Sequence, residues 1–299
     1  MERILRSVLF VSVVCSLLPN TQLTAAATAG KVVHVRRTSV WSTPSPDPMG
    51  ITYDPRTHRL LIGDSEVDEM PSLWRGSNFF VVRRKGNLVA ARTFKKFTVE
   101  PCDLALATAD GALYIADDDL DRVFRDKASK DGLFGTRDDV AATVLRTRRF
   151  GSFDPEGLAW VPRARMLIVT DGADAAQTAR VYTIRQGKDH RFATSDDVVR
   201  HFGLHRYGFT DADGVAVTRF SHHLLIVSDR QSFILETTMG GRLVRKIDIS
   251  ATGIKAASGI TFAPGTDGSP SRLYVTDRSV DNNVNPHEND GKLFELKIA

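Results

Sequence analysis

The chain has 299 residues, 42% hydrophobic and 25% charged, a balance that suits a folded domain and argues against a disordered one. Its formal net charge of +4 is dispersed, apart from short clusters such as residues 146–149. No basic stripe is interleaved with aromatics, so a nucleic-acid partner is not expected. A mildly basic surface would still help attract an acidic substrate.

Arg3 and Arg6 precede an apolar stretch over residues 8–18, and Ala27-Thr28-Ala29 follows as an A-x-A cleavage pattern. These are the parts of a secretory signal peptide, expected over residues 1–29. The apolar run is too short to span a bilayer. Val14 before Cys15 is not the small residue that a lipoprotein site requires. Residues 30–299 then read as a single secreted domain, extracellular or periplasmic and monomeric. Cys102 is the only cysteine in it, which excludes an intramolecular disulfide. With no general base or cysteine motif beside it, Cys102 reads as a buried thiol rather than a nucleophile.

From there a pattern recurs in five copies: DPMGITYD…RLLIGD, EPCDLALA…ALYIAD, DPEGLAWV…RMLIVTD, DADGVAVT…HLLIVSD and ASGITFAP…RLYVTD. Its first landmark falls at Gly50, Asp103, Gly157, Gly214 and Gly259, and its second at Asp64, Asp117, Asp171, Asp229 and Asp277. A repeat of about fifty residues signals a repeat architecture. Each apolar run is short and rich in Leu, Ile and Val, as buried strands are. Two weaker strands follow each second landmark, for example residues 79–83 and 88–94, or 181–185 and 197–202. Four strands per repeat make a blade, so the expected fold is an all-β, five-bladed β-propeller of antiparallel strands, with six blades as the alternative. The fifth copy supplies only three strands, the last over residues 292–298. Residues 32–40 are expected to pair with that strand and close the ring.

In a propeller, the start of each inner strand and the end of the next strand share one face. Glu100, Asp103, Asp154, Glu156, Asp211 and Asp213 begin inner strands. The second landmarks end second strands, and Asp68, Asp118, Asp119, Asp174 and Asp281 lie just beyond. So many carboxylates around one channel mouth repel each other unless a cation is bound. Hard oxygen ligands favour a divalent metal, Ca²⁺ foremost, with Mg²⁺ or Mn²⁺ as alternatives. The strand-ending Asp recurs in every copy and reads as a turn cap. Glu156 and Asp213, by contrast, match Met49, Cys102 and Ser258 in the other copies, so the turn itself does not require an acid there.

Glu156-Gly157-Leu158 and Asp213-Gly214-Val215, each followed by an apolar strand ending in Asp, resemble inner-strand motifs of the senescence-marker/gluconolactonase-like propellers. They are also similar to secreted propellers of the esterase-like-phytase and SdiA-regulated families. The likeness covers the whole chain after residue 29 as architecture. In the gluconolactonase-like family a Glu and an Asp at such positions, helped by Asn side chains, bind one divalent metal in the channel mouth. The resemblance therefore implies Glu156 and Asp213 as metal ligands. The family's Asn ligands have no clear counterpart at the other inner strands of this chain.

Other segments leave their roles open. The loop over residues 277–291 either completes a hard-metal site or is a solvated lid. Arg230 and Arg278, each after a rim Asp, either clamp an anionic substrate or pair with neighbouring acids. Residues 131–139 and 189–197 space acids in related loops, but neither fits the EF-hand pattern. Both read as structural turns on the far face, with at most a structural Ca²⁺ site in the first. His222-His223 reads as far-face surface. No G-x-S-x-G, H-E-x-x-H, P-loop or dinucleotide fingerprint is present.

The expected function is metal-dependent hydrolysis of an ester, lactone or phosphoester at the channel mouth. Glu156 and Asp213 would hold the ion with Asp103 and Asp154 as further ligands, Asp171 would take a proton, and Arg278 would hold an anionic group. The alternative is a non-catalytic cell-surface propeller that binds a protein or carbohydrate.

Overall fold

The runs around Leu61, Tyr114, Ile168, Leu225 and Tyr274 are buried on both strand faces, so each occupies the middle of a sheet rather than an edge. A computed structural model describes residues 28–128, 130–172, 179–280, 284–285 and 287–298. All but the last two residues of the expected signal peptide lie outside the described residues, as do Asp174 and Asp281.

Blade 1 is β3 (Pro48–Asp54), β4 (Arg59–Asp64), β5 (Phe79–Arg83) and β6 (Leu88–Arg92). Blade 2 is β7 (Asp103–Ala107), β8 (Ala112–Asp117), β9 (Arg122–Lys127) and β10 (Val140–Arg146). Blade 3 is β11 (Pro155–Val161), β12 (Met166–Asp171), β13 (Arg180–Arg185) and β14 (Val198–Gly203). Blade 4 is β15 (Gly214–Val217), β16 (Leu224–Val227), β17 (Phe233–Thr237) and β18 (Leu243–Asp248), with the short β1 (Thr28–Ala29) parallel to β18. Blade 5 is β19 (Ala257–Ala263), β20 (Arg272–Asp277) and β21 (Lys292–Lys297), completed by β2 (Lys31–Arg37) from the other end of the chain.

The β2–β21 pair runs antiparallel, with Lys31 opposite Lys297 and Arg37 opposite Lys292, so the ring closes as expected. The closing strand stops three residues early. Thr38 turns back to donate its N–H to Gly291 O at 2.9 Å, and residues Thr38–Val40 form a 3₁₀ turn. Helical structure among the described residues is confined to such short turns. None is a helix long and apolar enough to cross a membrane.

Each inner strand touches the inner strand of the next blade, from β3 through β7, β11, β15 and β19 back to β3. The core is divided in the same way, with one cluster between each pair of blades. Leu104, Phe79 and Phe124 join blades 1 and 2, and Tyr114, Leu158 and Tyr182 join blades 2 and 3. Ile168 and Val215 join blades 3 and 4, Ile247 and Ile260 join 4 and 5, and Tyr274 and Phe80 join 5 and 1. The ring thus has five blades.

Candidate metal centre at the channel mouth

The five inner strands meet so tightly that most of them need glycine at the first landmark. A Cβ on Gly214 would lie 2.4 Å from Ser258 O, and one on Gly259 would lie 2.1 Å from Met49 O. Asp103 is the exception, and its side chain enters the axis. Oδ1 accepts from Ile51 N at 3.0 Å and Leu104 N at 2.8 Å, while Oδ2 accepts from Leu158 N at 2.7 Å. Val215 N–H adds a further bond. This carboxylate ties the inner strands of blades 1 to 4 together. Burial raises it well above its ordinary range against the pull of those donors.

The second landmarks also face inward. Asp64, Asp117 and Asp171 accept from Ser45 Oγ, Thr98 Oγ1 and Ser152 Oγ at 2.6, 2.5 and 2.5 Å, each donor 19 residues upstream. Asp277 accepts from Ala256 N at 2.8 Å and Ser279 N at 3.0 Å. Burial pushes Asp64, Asp117 and Asp171 up to about 6. In blade 4 the matching residue is Ser228: Gly214 pairs with Val227 just as Gly157 pairs with Thr170. Asp229 lies one residue further on and is released into the mouth.

The mouth itself is acidic over blades 2 to 4. Glu156 is the extra residue of a β-bulge, since Pro155 pairs with Asp171 and Gly157 with Thr170. The bulge re-aims its side chain toward the channel. There Asp118, Asp154 and Glu156 offer oxygen atoms that all lie within 4.8 Å of one another. Glu156 Oε2 is buried without a hydrogen-bond partner. Burial, then Asp118, Asp213 and Asp154, raise the Glu156 carboxyl well above its ordinary range. Burial, then Asp229 and Asp211, do the same for Asp213, whose Oδ2 accepts from Asp229 N at 3.0 Å. Glu100 is pushed up to about 10 by burial and by Asp118. Cys102 Sγ donates to Asp118 Oδ1 at 2.8 Å, and burial holds its thiol protonated.

Two arginines answer these acids. Arg278 reaches from blade 5 to Asp229 Oδ2 at 3.0 Å and Glu66 Oε1 at 3.5 Å, with its side chain only 12% exposed. Arg230 is 58% exposed and pairs with Asp211 at 3.0 Å.

The family model described as SdiA-regulated matches residues 45–275, from just before β3 into β20. The chain belongs to the SdiA-regulated family. No curated protein sequence matches this SdiA-regulated chain. Among solved structures it is similar to the PQQ-bound aldose sugar dehydrogenase of Streptomyces coelicolor, with a TM-score of 0.53 and 12% identity over 92% of this chain and 100% of that one. A luciferin-regenerating enzyme gives a TM-score of 0.53 and 12% identity over 91% and 95%. A nidogen/laminin complex gives 0.50 and 16% over 78% and 73%. At such identities the likeness is one of fold, and a fold leaves the chemistry to its site.

Within the SdiA-regulated propeller, then, Asp154 and Glu156 of the expected ligand set come together, and Asp213 lies beside them. Asp103 points down the axis onto backbone donors. Asp171 is 1% exposed and caps a turn. Arg278 is held by two acids. Asp118, in sequence merely the residue beyond a strand end, enters the mouth because Asp117 immediately before it is a cap. His223 is not plain surface, since its Nδ1 lies 2.7 Å from the buried Glu236.

Proposed function

We propose that this propeller is a secreted, divalent-metal-binding hydrolase acting on an anionic ester, lactone or phosphoester at the channel mouth. The observation that carries this reading is the convergence of Asp118, Asp154 and Glu156, with Glu156 Oε2 buried and lacking any donor. Three carboxylates whose oxygen atoms lie within 4.8 Å of one another suit a hard ion, Ca²⁺ before Mg²⁺ or Mn²⁺. Such an ion, when bound, supplies Lewis-acid activation of a scissile group and of water.

The surrounding residues have separable roles. Asp213, whose Oδ2 accepts from the Asp229 N–H, lies close enough to Glu156 to raise its carboxyl and would serve as a further ligand. Asp211 is better placed than Asp171 to take a proton. One point, the position of a Cβ on Gly172, lies 2.3 Å from Asp154 Oδ2 and 3.0 Å from Asp211 Oδ1, so the two carboxylates are neighbours. Arg230, the more exposed arginine, would receive the substrate's negative charge, while Arg278 braces the rim.

Assay of lactones, aryl esters and phosphomonoesters, with calcium and with EDTA, tests the reading. Turnover that needs calcium and falls at least about a hundredfold in Glu156→Gln is expected. Metal binding without turnover of any substrate would assign the mouth to ligand capture instead. Absence of metal binding that depends on Glu156 would overturn the site.

A further inference from the structure

Two outer hairpins carry the same loop, and they differ where a cation would sit. Residues 131–139 join β9 to β10 in blade 2, and residues 189–197 join β13 to β14 in blade 3. Their internal bonds match. Asp131 Oδ1 accepts from Leu133 N at 2.8 Å, and Asp189 Oδ1 from Arg191 N at 2.9 Å. Asp139 Oδ2 accepts from Thr136 N at 2.8 Å, and Asp197 Oδ2 from Thr194 N at 3.2 Å. Thr136 Oγ1 donates to Asp138 Oδ1 at 2.9 Å, and Thr194 Oγ1 to Asp196 Oδ1 at 2.8 Å.

The blade 3 loop satisfies its acids with backbone. Lys188 N donates to Asp196 Oδ2 at 2.6 Å and Gly187 N to Asp197 Oδ1 at 3.3 Å. The strand residue beneath it is Ile184, buried and apolar. Val199 pairs with Ile184 as Ala141 pairs with Asp126, so the matching residue in blade 2 is an acid. Asp126 is 0% exposed and its oxygens make no well-formed hydrogen bond, although the Gly135 and Lys127 N–H groups and the Asp139 carboxyl lie close enough to act on its charge. Its neighbour is Asp139, which adds to burial in pushing Asp126 up to about 7.

Above it, Asp131, Asp138 and Asp139 offer oxygen atoms all within 4.8 Å of one another. Two nearby cations bond to backbone carbonyls of this loop. Lys96 Nζ donates to the Asp139 carbonyl at 3.1 Å, and Arg92 Nη1 donates to the Phe134 carbonyl at 2.9 Å. The blade fold does not call for an acid at Asp126, because the sister blade has isoleucine there. A carboxylate buried beside Asp139, itself one of the three clustered acids, would be stabilised by a bound cation.

We propose that residues 131–139 together with Asp126 bind one divalent cation, with calcium favoured by an all-oxygen ligand set on a loop. The ion clamps the loop over the seam between blades 1 and 2. Phe134 inserts into the core cluster of that seam, and Gly135 packs so closely that a Cβ there would lie 2.6 Å from Phe79 Cδ1. This site lies on the far face from the mouth and does not depend on the hydrolase reading.

The test is equilibrium dialysis with calcium on the full secreted chain carrying Glu156→Gln, which silences the mouth. One calcium per chain is expected, weakened at least about tenfold by Asp131→Asn with Asp138→Asn. Both positions are exposed, so folding should survive. The sister pair Asp189→Asn with Asp196→Asn should leave binding unchanged. EDTA should lower the melting temperature of the Glu156→Gln parent but not of the variant that also carries Asp131→Asn and Asp138→Asn. No calcium on the Glu156→Gln parent, as when Asp126 and Asp139 simply share a proton, overturns the proposal. So does binding that persists in the loop variant. If the mouth site is wrong, wild type and Glu156→Gln bind the same single ion and the loop result still stands.

Discussion

At the scale of single residues, the carboxylates divide by what surrounds them rather than by where they fall in the repeat. Asp64 accepts from Ser45 Oγ, Asp47 N and Val67 N, yet burial still raises it from 3.8 to about 6. The folded state therefore holds this proton more tightly than the unfolded chain does. Its stabilising effect is present below about pH 4 and is lost as pH rises toward 6, a change of about 3 kcal/mol. Asp64→Asn should remove that part of the slope, read as denaturant midpoints between pH 4 and pH 7. A variant with the wild-type slope would show that Asp64 is ionised throughout. The capping role was legible in the sequence because a turn device recurs in each blade, while Ser228 and Asp229 show how a one-residue offset hides an exception. Asp103 was not legible. An acid at the start of an inner strand looks the same whether it faces the mouth or the axis, and only the close approach of neighbouring inner strands decides between them.

At the scale of elements, the ring is held shut by β2 lying on β21, with no disulfide among the described residues to help. Leu293, Phe294 and Leu296 on β21 are buried, so removing β2 uncovers both apolar surface and an unpaired edge. The missing strand of blade 5 was legible by counting, because a blade with three strands has an edge that the other terminus can cover. The contribution of β1 was not. Thr28 and Ala29 pair with Ile247 and Asp248, and Arg245 Nη1 donates to Thr28 Oγ1 at 3.3 Å. Cleavage after Ala29 would discard this pair, whereas Ala25-Ala26-Ala27 is also an A-x-A pattern and cleavage there keeps it. Thermal melts of chains beginning at Thr28, Gly30 and Thr38 separate these effects. The last keeps Trp41, whose Nε1 donates to Gly86 O at 2.9 Å, so it tests the strand alone. It should lose at least about 3 kcal/mol, roughly 6–12 °C, and self-associate. The Gly30 chain should lose about 1 kcal/mol or less relative to Thr28. An unchanged melt for the Thr38 chain would remove β2 from the closure.

At the scale of the whole molecule, negative charge is gathered at two places although the chain is net positive. One is the mouth over blades 2 to 4, and the other is the blade 2 loop on the far face, reached by β9 as it runs away from the mouth. Both lie beside seams between blades, so repulsion in either place loosens the ring rather than one strand. An ion bound at calcium concentrations a hundredfold above its dissociation constant adds about 2.7 kcal/mol to folding stability. Sites this far apart with no shared ligand should act additively, within about 0.5 kcal/mol. The wild-type chain is therefore expected to show the largest fall in stability on adding EDTA. Glu156→Gln alone, or Asp131→Asn with Asp138→Asn, should each show a smaller fall, and all three substitutions together should show none. Chemical denaturation of the four chains with calcium and with EDTA measures this. A shift that survives in the triple variant would locate the stabilising ion elsewhere in the ring. Shifts that fail to add would mean that the two faces are coupled through blade 2, which contributes Asp118 to one site and Asp126 to the other.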